Sequence, residues 1–100
     1  MAVIIEFRPE ARADFDAAYN WYAERSVAAA IGFASEIDVA IESIVAAPNR
    51  FVRTYAGCRS CRLKRYPYCI VYHQVADVIH VIAVAHAKRR PGFWQTRTQP

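Results

Sequence analysis

The sequence has 100 residues, of which 55% are hydrophobic and 22% are charged, and its net charge is +4. This length and composition are typical of one small globular domain, so we expect a single domain over residues 1–100. No stretch reaches the roughly 20 uncharged apolar residues that a membrane-spanning helix needs, and we expect a cytoplasmic protein. Three cysteines, an odd number, argue against a secreted, disulfide-bonded framework.

The charge is divided unequally between the two halves of the chain. Residues 1–50 hold eight acidic and four basic residues, a balance of −4, whereas residues 51–100 hold one acidic and nine basic residues, a balance of +8. A basic half of this kind suits a polyanionic partner, either nucleic acid or an acidic protein.

The predicted elements begin with a short strand over residues 2–7. Pro9 then suits the first turn of a helix, where its missing N–H needs no partner, and Glu10 begins that helix. The apolar side chains that follow are spaced for one helical face: Ala11, Phe15, Ala18, Tyr19 and Tyr22. Ser26 is a suitable cap for a second helix, which carries apolar residues from Phe33 onward and ends at Pro48. We expect the two helices to form an antiparallel hairpin.

Three strand-like segments follow a loop over residues 49–57: Cys58–Arg65, Tyr68–Val75 and Val78–His86. The two-residue spacers between them predict antiparallel connections. The predicted fold class is therefore α+β, with element order β-α-α-β-β-β and a helical hairpin packed on a small, mainly antiparallel sheet.

Strand alternation predicts which side chains share a face of this sheet. The apolar face should pack on the helices; it carries Cys61, Leu63, Tyr68, Ile70, Tyr72, Ile79, Val81, Ala83 and Ala85. The opposite face has basic and imidazole groups around an apolar middle, and we expect any functional surface of the sheet there. It carries Arg62, Lys64, Cys69, Val71, His73, His80, Ile82, Val84 and His86, and is extended by Lys88, Arg89 and Arg90.

Metal and redox sites receive little support from the sequence. Cys58 and Cys61 form a Cys-x-x-Cys pair, but no second pair exists, and positions three apart on a strand point to opposite faces. His73 and His80 are predicted cross-strand neighbours without a carboxylate close by. We expect neither a metal nor another cofactor. His86 ends the last strand beside the basic run, a position from which it could act as a general acid or base.

The order and spacing of several segments resemble the RelE/ParE superfamily of bacterial type II toxin–antitoxin toxins. The resemblance extends over nearly the whole chain. It is carried by Ala11–Tyr22, Phe33–Pro48, Arg65-Tyr-Pro-Tyr-Cys-Ile-Val-Tyr72, Val81-Ile-Ala-Val-Ala-His86 and Arg89-Arg-Pro-Gly-Phe-Trp94. It implies the same α+β fold and a role as the toxin of a plasmid-stabilisation module. It also implies a cognate antitoxin, and an acidic, partly disordered chain could fold onto the basic surface.

The resemblance leaves the target open between two branches. RelE-like toxins cut mRNA on the ribosome with basic residues of the sheet and a C-terminal tyrosine or histidine, and such a site would here use Arg62, Lys64, His86 and Arg89. This chain departs from that pattern, because Cys69 stands in the arginine position of Tyr-Arg-x-x-Tyr and no tyrosine follows His86.

The ParE branch inhibits DNA gyrase without a hydrolytic site, and the long, Ala-rich helical hairpin resembles that branch more closely. An inactive, antitoxin-binding module is the third alternative. The residues implied as contacts of antitoxin or target are Arg62, Lys64, Lys88, Arg89, Arg90, Phe93 and Trp94.

Overall fold

The computed structural model describes residues 3–90 and 92–98. Within these residues the chain forms two helices and five strands: β1 (Ile4–Phe7), α1 (Pro9–Ala23), α2 (Val27–Ala46), β2 (Val52–Arg53), β3 (Arg59–Arg62), β4 (Tyr68–Val75) and β5 (Val78–His86). Short 3-10 turns cover Tyr55–Gly57 and Gln95–Thr98. The predicted start of the first strand at Ala2, and Pro91 of the C-terminal motif, lie outside the described residues.

The helical hairpin is confirmed, and its ends follow from the local sequence. Pro9 occupies the first helical position of α1, after Arg8 in an extended conformation. Ser26 caps α2, because its Oγ accepts a hydrogen bond from the N–H of Ala29 at 3.2 Å; such a cap contributes about 1 kcal/mol relative to alanine. Among the described residues, no helix has the length and apolarity that a membrane crossing requires.

The α+β fold class is also confirmed. The strands form one sheet in the order β1-β5-β4-β3-β2, in which β1 pairs parallel with β5 and the other neighbours are antiparallel. The two-residue strand β2 lies in a segment predicted as loop. β3 is shorter than predicted, because after Arg62 the chain turns towards α2, where Glu36 Oε1 accepts the backbone N–H groups of Lys64 and Arg65 at 3.1 and 3.0 Å.

The predicted faces are correct through Ile82 and reverse from Ala83 onward. Tyr72 pairs with Val81 and Val71 pairs with Ala83, so that Ile82 is an extra residue in β5. Such a bulge shifts the alternation of every side chain that follows it. The prediction that Ala83 and Ala85 face the helices is therefore wrong, because both belong to the cluster on the opposite face.

The same shift corrects two residues predicted on the opposite face. Val84 is buried in the helix-side core. The ring of His86 lies edge-on against Tyr68, with centroids 4.9 Å apart, and Tyr68 packs on that same core. His86 is thus on the helix side of the sheet.

Each face of the sheet has its own core. On the helix side, Phe33 contacts the rings of Phe15, Tyr22, Tyr66 and Tyr68 at centroid distances of 5.2 to 5.6 Å. The opposite core joins Val71, Ile82, Ala83 and Ala85 to Cys58 and Trp94. The apolar middle of this face, the face on which any functional surface of the sheet was expected, is therefore packed against Phe93 and Trp94 of the C-terminal segment.

Asp14 of α1 connects the bulge to that C-terminal segment. Its Oδ2 accepts the backbone N–H of Val84 at 3.1 Å and a hydrogen bond from Arg97 Nη1 at 2.7 Å. Arg97 Nη1 also donates to the carbonyl of Ile82 at 3.1 Å. Since β1 ends its pairing at Val81, these two side chains bond to the backbone of β5 where strand pairing on that side has stopped.

Asp14→Ala is expected to lower the free energy of unfolding by about 3 kcal/mol, because it leaves the mostly buried Arg97 guanidinium and the Val84 N–H without their acceptor. Urea unfolding followed by circular dichroism measures this loss. Asp16→Ala is the matched control on the same helix. Among the residues that the structure describes, Asp16 pairs only with Arg12, in an exposed contact that is worth less than about 0.5 kcal/mol. Equal losses for the two variants would contradict the role given to Asp14.

Candidate functional site

The residues predicted for a ribonuclease site are divided between two clefts. Arg62 and Lys64 line a cleft between α2 and β3, which we call the α2–β3 groove. His86 and Arg89 line a cleft between α1 and the end of β5, which we call the histidine cleft. The bulge in β5 places His86 on the helix side of the sheet beside α1, whereas Arg62 and Lys64 lie beside α2.

The α2–β3 groove has a volume of about 640 Å³ and combines an apolar lining with cationic side chains. Its apolar residues include Val39, Ala40, Phe51 and Leu63, and its cations are Arg50, Arg62, Lys64 and Arg65. Glu36 is the carboxylate of this groove, and it already accepts two backbone N–H groups. The groove is therefore suited to an amphipathic segment with acidic residues.

One end of this groove depends on a glycine. The Tyr66 hydroxyl donates a hydrogen bond to the carbonyl of Ala29 at 2.8 Å, which brings it across α2 at Gly32. A Cβ at position 32 would lie 2.5 Å from the Tyr66 hydroxyl oxygen. Gly32 thus permits the close approach of Tyr66, whose ring also packs on Tyr22 and Phe33.

The histidine cleft brings aromatic, imidazole and guanidinium groups together. His86 Nδ1 accepts a hydrogen bond from the N–H of Lys88 at 3.0 Å, so the neutral ring carries its proton on Nε2. Burial raises the pKa of Tyr68 above its ordinary value, so its hydroxyl, which is neutral at physiological pH in any case, loses its proton even less readily. Arg89 stacks on Phe93 at 3.8 Å and lies 3.9 Å from Asp14 Oδ1, so its charge is partly offset.

The remaining predicted contact residues lie in different surroundings. Lys88 and Arg90 are exposed in the turn that follows β5. Phe93 is half-buried beneath the guanidinium groups of Arg89 and Arg97. Trp94 is only 6% exposed, so the structure places it in the core beside Cys58 and not on an open contact surface.

The histidine pair of the sheet has an acidic neighbour that the sequence analysis missed. His73 and His80 are cross-strand partners, as predicted. However, Glu6 Oε1 lies 2.8 Å from His80 Nδ1, because the parallel pairing of β1 and β5 places Glu6 beside His80. The expectation of no nearby carboxylate is wrong. Within the described residues, no three His, Cys, Asp or Glu side chains are grouped as metal ligands.

The helical hairpin carries exposed apolar side chains that the sequence analysis assigned no separate role. Trp21, Val27 and Ile31 are 50%, 66% and 59% exposed, and the Arg25 guanidinium stacks 3.7 Å from the Trp21 ring. A signal for Val27 and Ile31 was present in the sequence. They lie six and two residues before Phe33, and these separations place them off the helical face that Phe33 and Ile37 share.

Comparison with known proteins places these features in context. A family model described as the ParE toxin of the type II toxin–antitoxin system parDE matches residues 5–91. A solved structure described as the chromosomal ParDE TA system from P. aeruginosa is similar, with a TM-score of 0.75 and 18% sequence identity over 86% of this chain and 97% of that chain. At that identity the likeness concerns the fold alone. No curated protein matches this sequence.

Cys69 is expected to be the one thiol of the folded protein that reacts quickly with a disulfide reagent. It is partly exposed, whereas Cys58 and Cys61 are buried in the cores on opposite faces of the sheet. Burial raises the pKa of both of these thiols, which further slows their reaction.

Titration with a chromogenic disulfide at about pH 8 measures the number of fast thiols. Cys69→Ser should remove the fast phase, and Cys58→Ser, the control, should retain it. A second fast thiol in the folded wild-type protein would contradict the assignment.

Proposed function

This chain belongs to the ParE toxin family of type II toxin–antitoxin systems, and on that premise we propose that it stops bacterial growth by inhibiting DNA gyrase. In this proposal residues 1–100 act as one toxin domain in the cytoplasm, and the module to which it belongs stabilises a plasmid. A cognate antitoxin neutralises the toxin by binding its basic surface.

The observation that supports a non-hydrolytic toxin is the separation of the candidate catalytic groups. Cleavage of a phosphodiester requires a base, an acid and cationic groups around the same phosphate. Arg62 and Lys64 line the α2–β3 groove, whereas His86 and Arg89 line the histidine cleft. Cys69, in the position that an arginine occupies in the RelE-like branch, adds no charge. Gyrase inhibition needs none of this chemistry, since it requires only a surface that binds the target.

The helical hairpin offers such a surface. Exposed apolar side chains on a small protein mark contact sites when they occur together, and Trp21, Val27 and Ile31 lie around the connection between α1 and α2. Tryptophan and arginine are the residues most enriched at the energetic centres of protein interfaces, and here Arg25 stacks on Trp21. We propose that this end of the hairpin contacts gyrase.

Cleavage of ribosome-bound mRNA is the second candidate function, and one observation favours it. Tyr68, His86 and Arg89 share the histidine cleft, where an imidazole with a defined tautomer and a guanidinium could meet one phosphate. An inactive module that only binds antitoxin is the third candidate, and it predicts no effect on growth.

Production of this chain without an antitoxin, in a bacterium that carries a reporter of the SOS response, is expected to give filamentous cells and a strong signal, because inhibited gyrase leaves broken DNA. The reporter and the purified gyrase supercoiling reaction measure the effect. Growth arrest with a flat reporter would instead favour mRNA cleavage, and normal growth would favour the inactive module.

Two substitutions distinguish the surfaces involved. His86→Ala is expected to remain fully toxic, because gyrase inhibition requires no general base. Loss of toxicity would favour the nuclease.

Trp21→Ala is expected to weaken inhibition of purified gyrase by about tenfold or more, which is the loss typical of a residue at the energetic centre of an interface. Val52→Ala, which truncates an exposed apolar side chain on β2, is its matched control and should inhibit gyrase normally.

The double substitution Arg62→Glu/Lys64→Glu is expected to weaken antitoxin binding about tenfold, because it places negative charge on a groove proposed to hold an acidic segment. The protein encoded beside the toxin is the binding partner to use, and calorimetry at two salt concentrations measures affinity and its salt dependence. Arg12→Glu, on the exposed side of α1, is the control. Unchanged affinity of the double variant would exclude the groove as the antitoxin site.

A further inference from the structure

A third cleft, of about 610 Å³, lies beside β2 at the edge of the sheet, and its charged groups are all of one sign. Arg53 and Arg59 line it together with His73 and neutral polar residues such as Asn49, Thr54 and Gln74. Among the described residues no carboxylate lines this cleft, whereas the α2–β3 groove contains Glu36 and the histidine cleft contains Asp14.

The two arginines of this cleft are direct cross-strand partners in the antiparallel pair β2–β3. Like charges placed directly opposite each other destabilise such a pair. Over residues 3–90 and 92–98, neither Arg53 nor Arg59 forms an ion pair that would relieve the repulsion. A bound anion between them would do so.

Arg59 is also held in place in the structure. Its Nη1 donates a hydrogen bond to the carbonyl of Phe51 at 2.8 Å, and its strand position opposes Tyr72. The Tyr72 hydroxyl in turn donates to the carbonyl of Pro48 at 2.6 Å. A guanidinium has five N–H donors, so Arg59 retains donors for a ligand while its position is fixed by the backbone.

We propose that this cleft binds a phosphate group, with Arg53 and Arg59 as its two cationic ligands. Guanidinium groups match phosphate oxygens with paired, charge-assisted hydrogen bonds, and the amide and hydroxyl groups of Asn49 and Thr54 add neutral donors. The phosphate belongs either to a nucleic-acid backbone or to a free polyphosphate, which present the same oxygens. The inference goes beyond gyrase inhibition and requires neither gyrase nor antitoxin.

Binding of the purified chain to a short, fluorescently labelled DNA duplex over a series of salt concentrations tests the site. Arg53→Gln is the test variant, since Arg53 is exposed and on an edge strand. It is expected to weaken binding and to make the negative slope of log affinity against log salt shallower by about 0.9, which corresponds to the loss of one phosphate contact. Arg12→Gln removes the same charge from α1, outside all three clefts, and should leave the slope unchanged.

Titration with tripolyphosphate, followed by the amide NMR shifts of β2 and β3, identifies the source of the phosphate. Tighter binding of tripolyphosphate than of duplex would support the site and assign it to a free polyphosphate; the reverse would support it and assign it to a nucleic-acid backbone. Equal losses for Arg53→Gln and Arg12→Gln would overturn the proposal, because they would show binding to net charge alone. The proposal would also be overturned if Arg53→Gln changed the binding of neither ligand. Arg59→Lys, which retains the charge but not the paired donors, is the second variant for the same two measurements.

Discussion

The single extra residue in β5 is the constraint on which the rest of this structure depends. Ile82 interrupts the alternation of the strand, and as a result the same strand serves the helix-side core through Val81 and Val84 and the opposite core through Ala83 and Ala85. A bulge leaves backbone groups outside the regular ladder. Here Asp14 and Arg97 bond to them, so that one partly buried ion pair joins the first helix, the last strand and the C-terminal segment.

The bulge also determines which functional groups can act together. Had β5 been regular, His86 would share a face with Arg62 and Lys64, and a basic face with a histidine would resemble a nuclease surface. In the structure His86 instead contacts Tyr68 and lines a cleft with Trp21 and Tyr22 of α1. The register of β5 therefore sets the surroundings of His86, and the division of the cations between a cleft beside α2 and a cleft beside α1 supports the proposal of binding over that of hydrolysis.

Much of this fold could be predicted because its signals are local. The proline at the start of α1, the serine cap of α2 and the alternation of β4 act within a few residues, and each was identified from the sequence. The bulge at Ile82 was not, because every residue from Val81 to Ala85 is small or branched and apolar, and such a run fits either face equally well. The contacts of Glu6 with His80 and of Asp14 with Arg97 join residues 74 and 83 positions apart. No local pattern specifies such pairs, and one of them, through Asp14, forms part of the histidine cleft.

The long-range contacts involve some of the acidic residues of the first half of the chain, and, within the part of the chain that the structure describes, they leave most of the basic residues of the second half without such partners. Three carboxylates of the acidic half bond to other parts of the chain: Asp14 to Arg97 and a backbone N–H, Glu36 to two backbone N–H groups, and the exposed Glu6 to His80. A carboxylate that accepts hydrogen bonds from backbone N–H groups, as Glu36 does, is occupied without neutralising the charge of any basic side chain. The basic side chains of the second half consequently remain on the surface with few internal partners, around clefts whose floors are partly apolar. Folding of this domain thus concentrates positive charge on its surface, and this is the physical reason to expect that binding of an acidic partner would stabilise it.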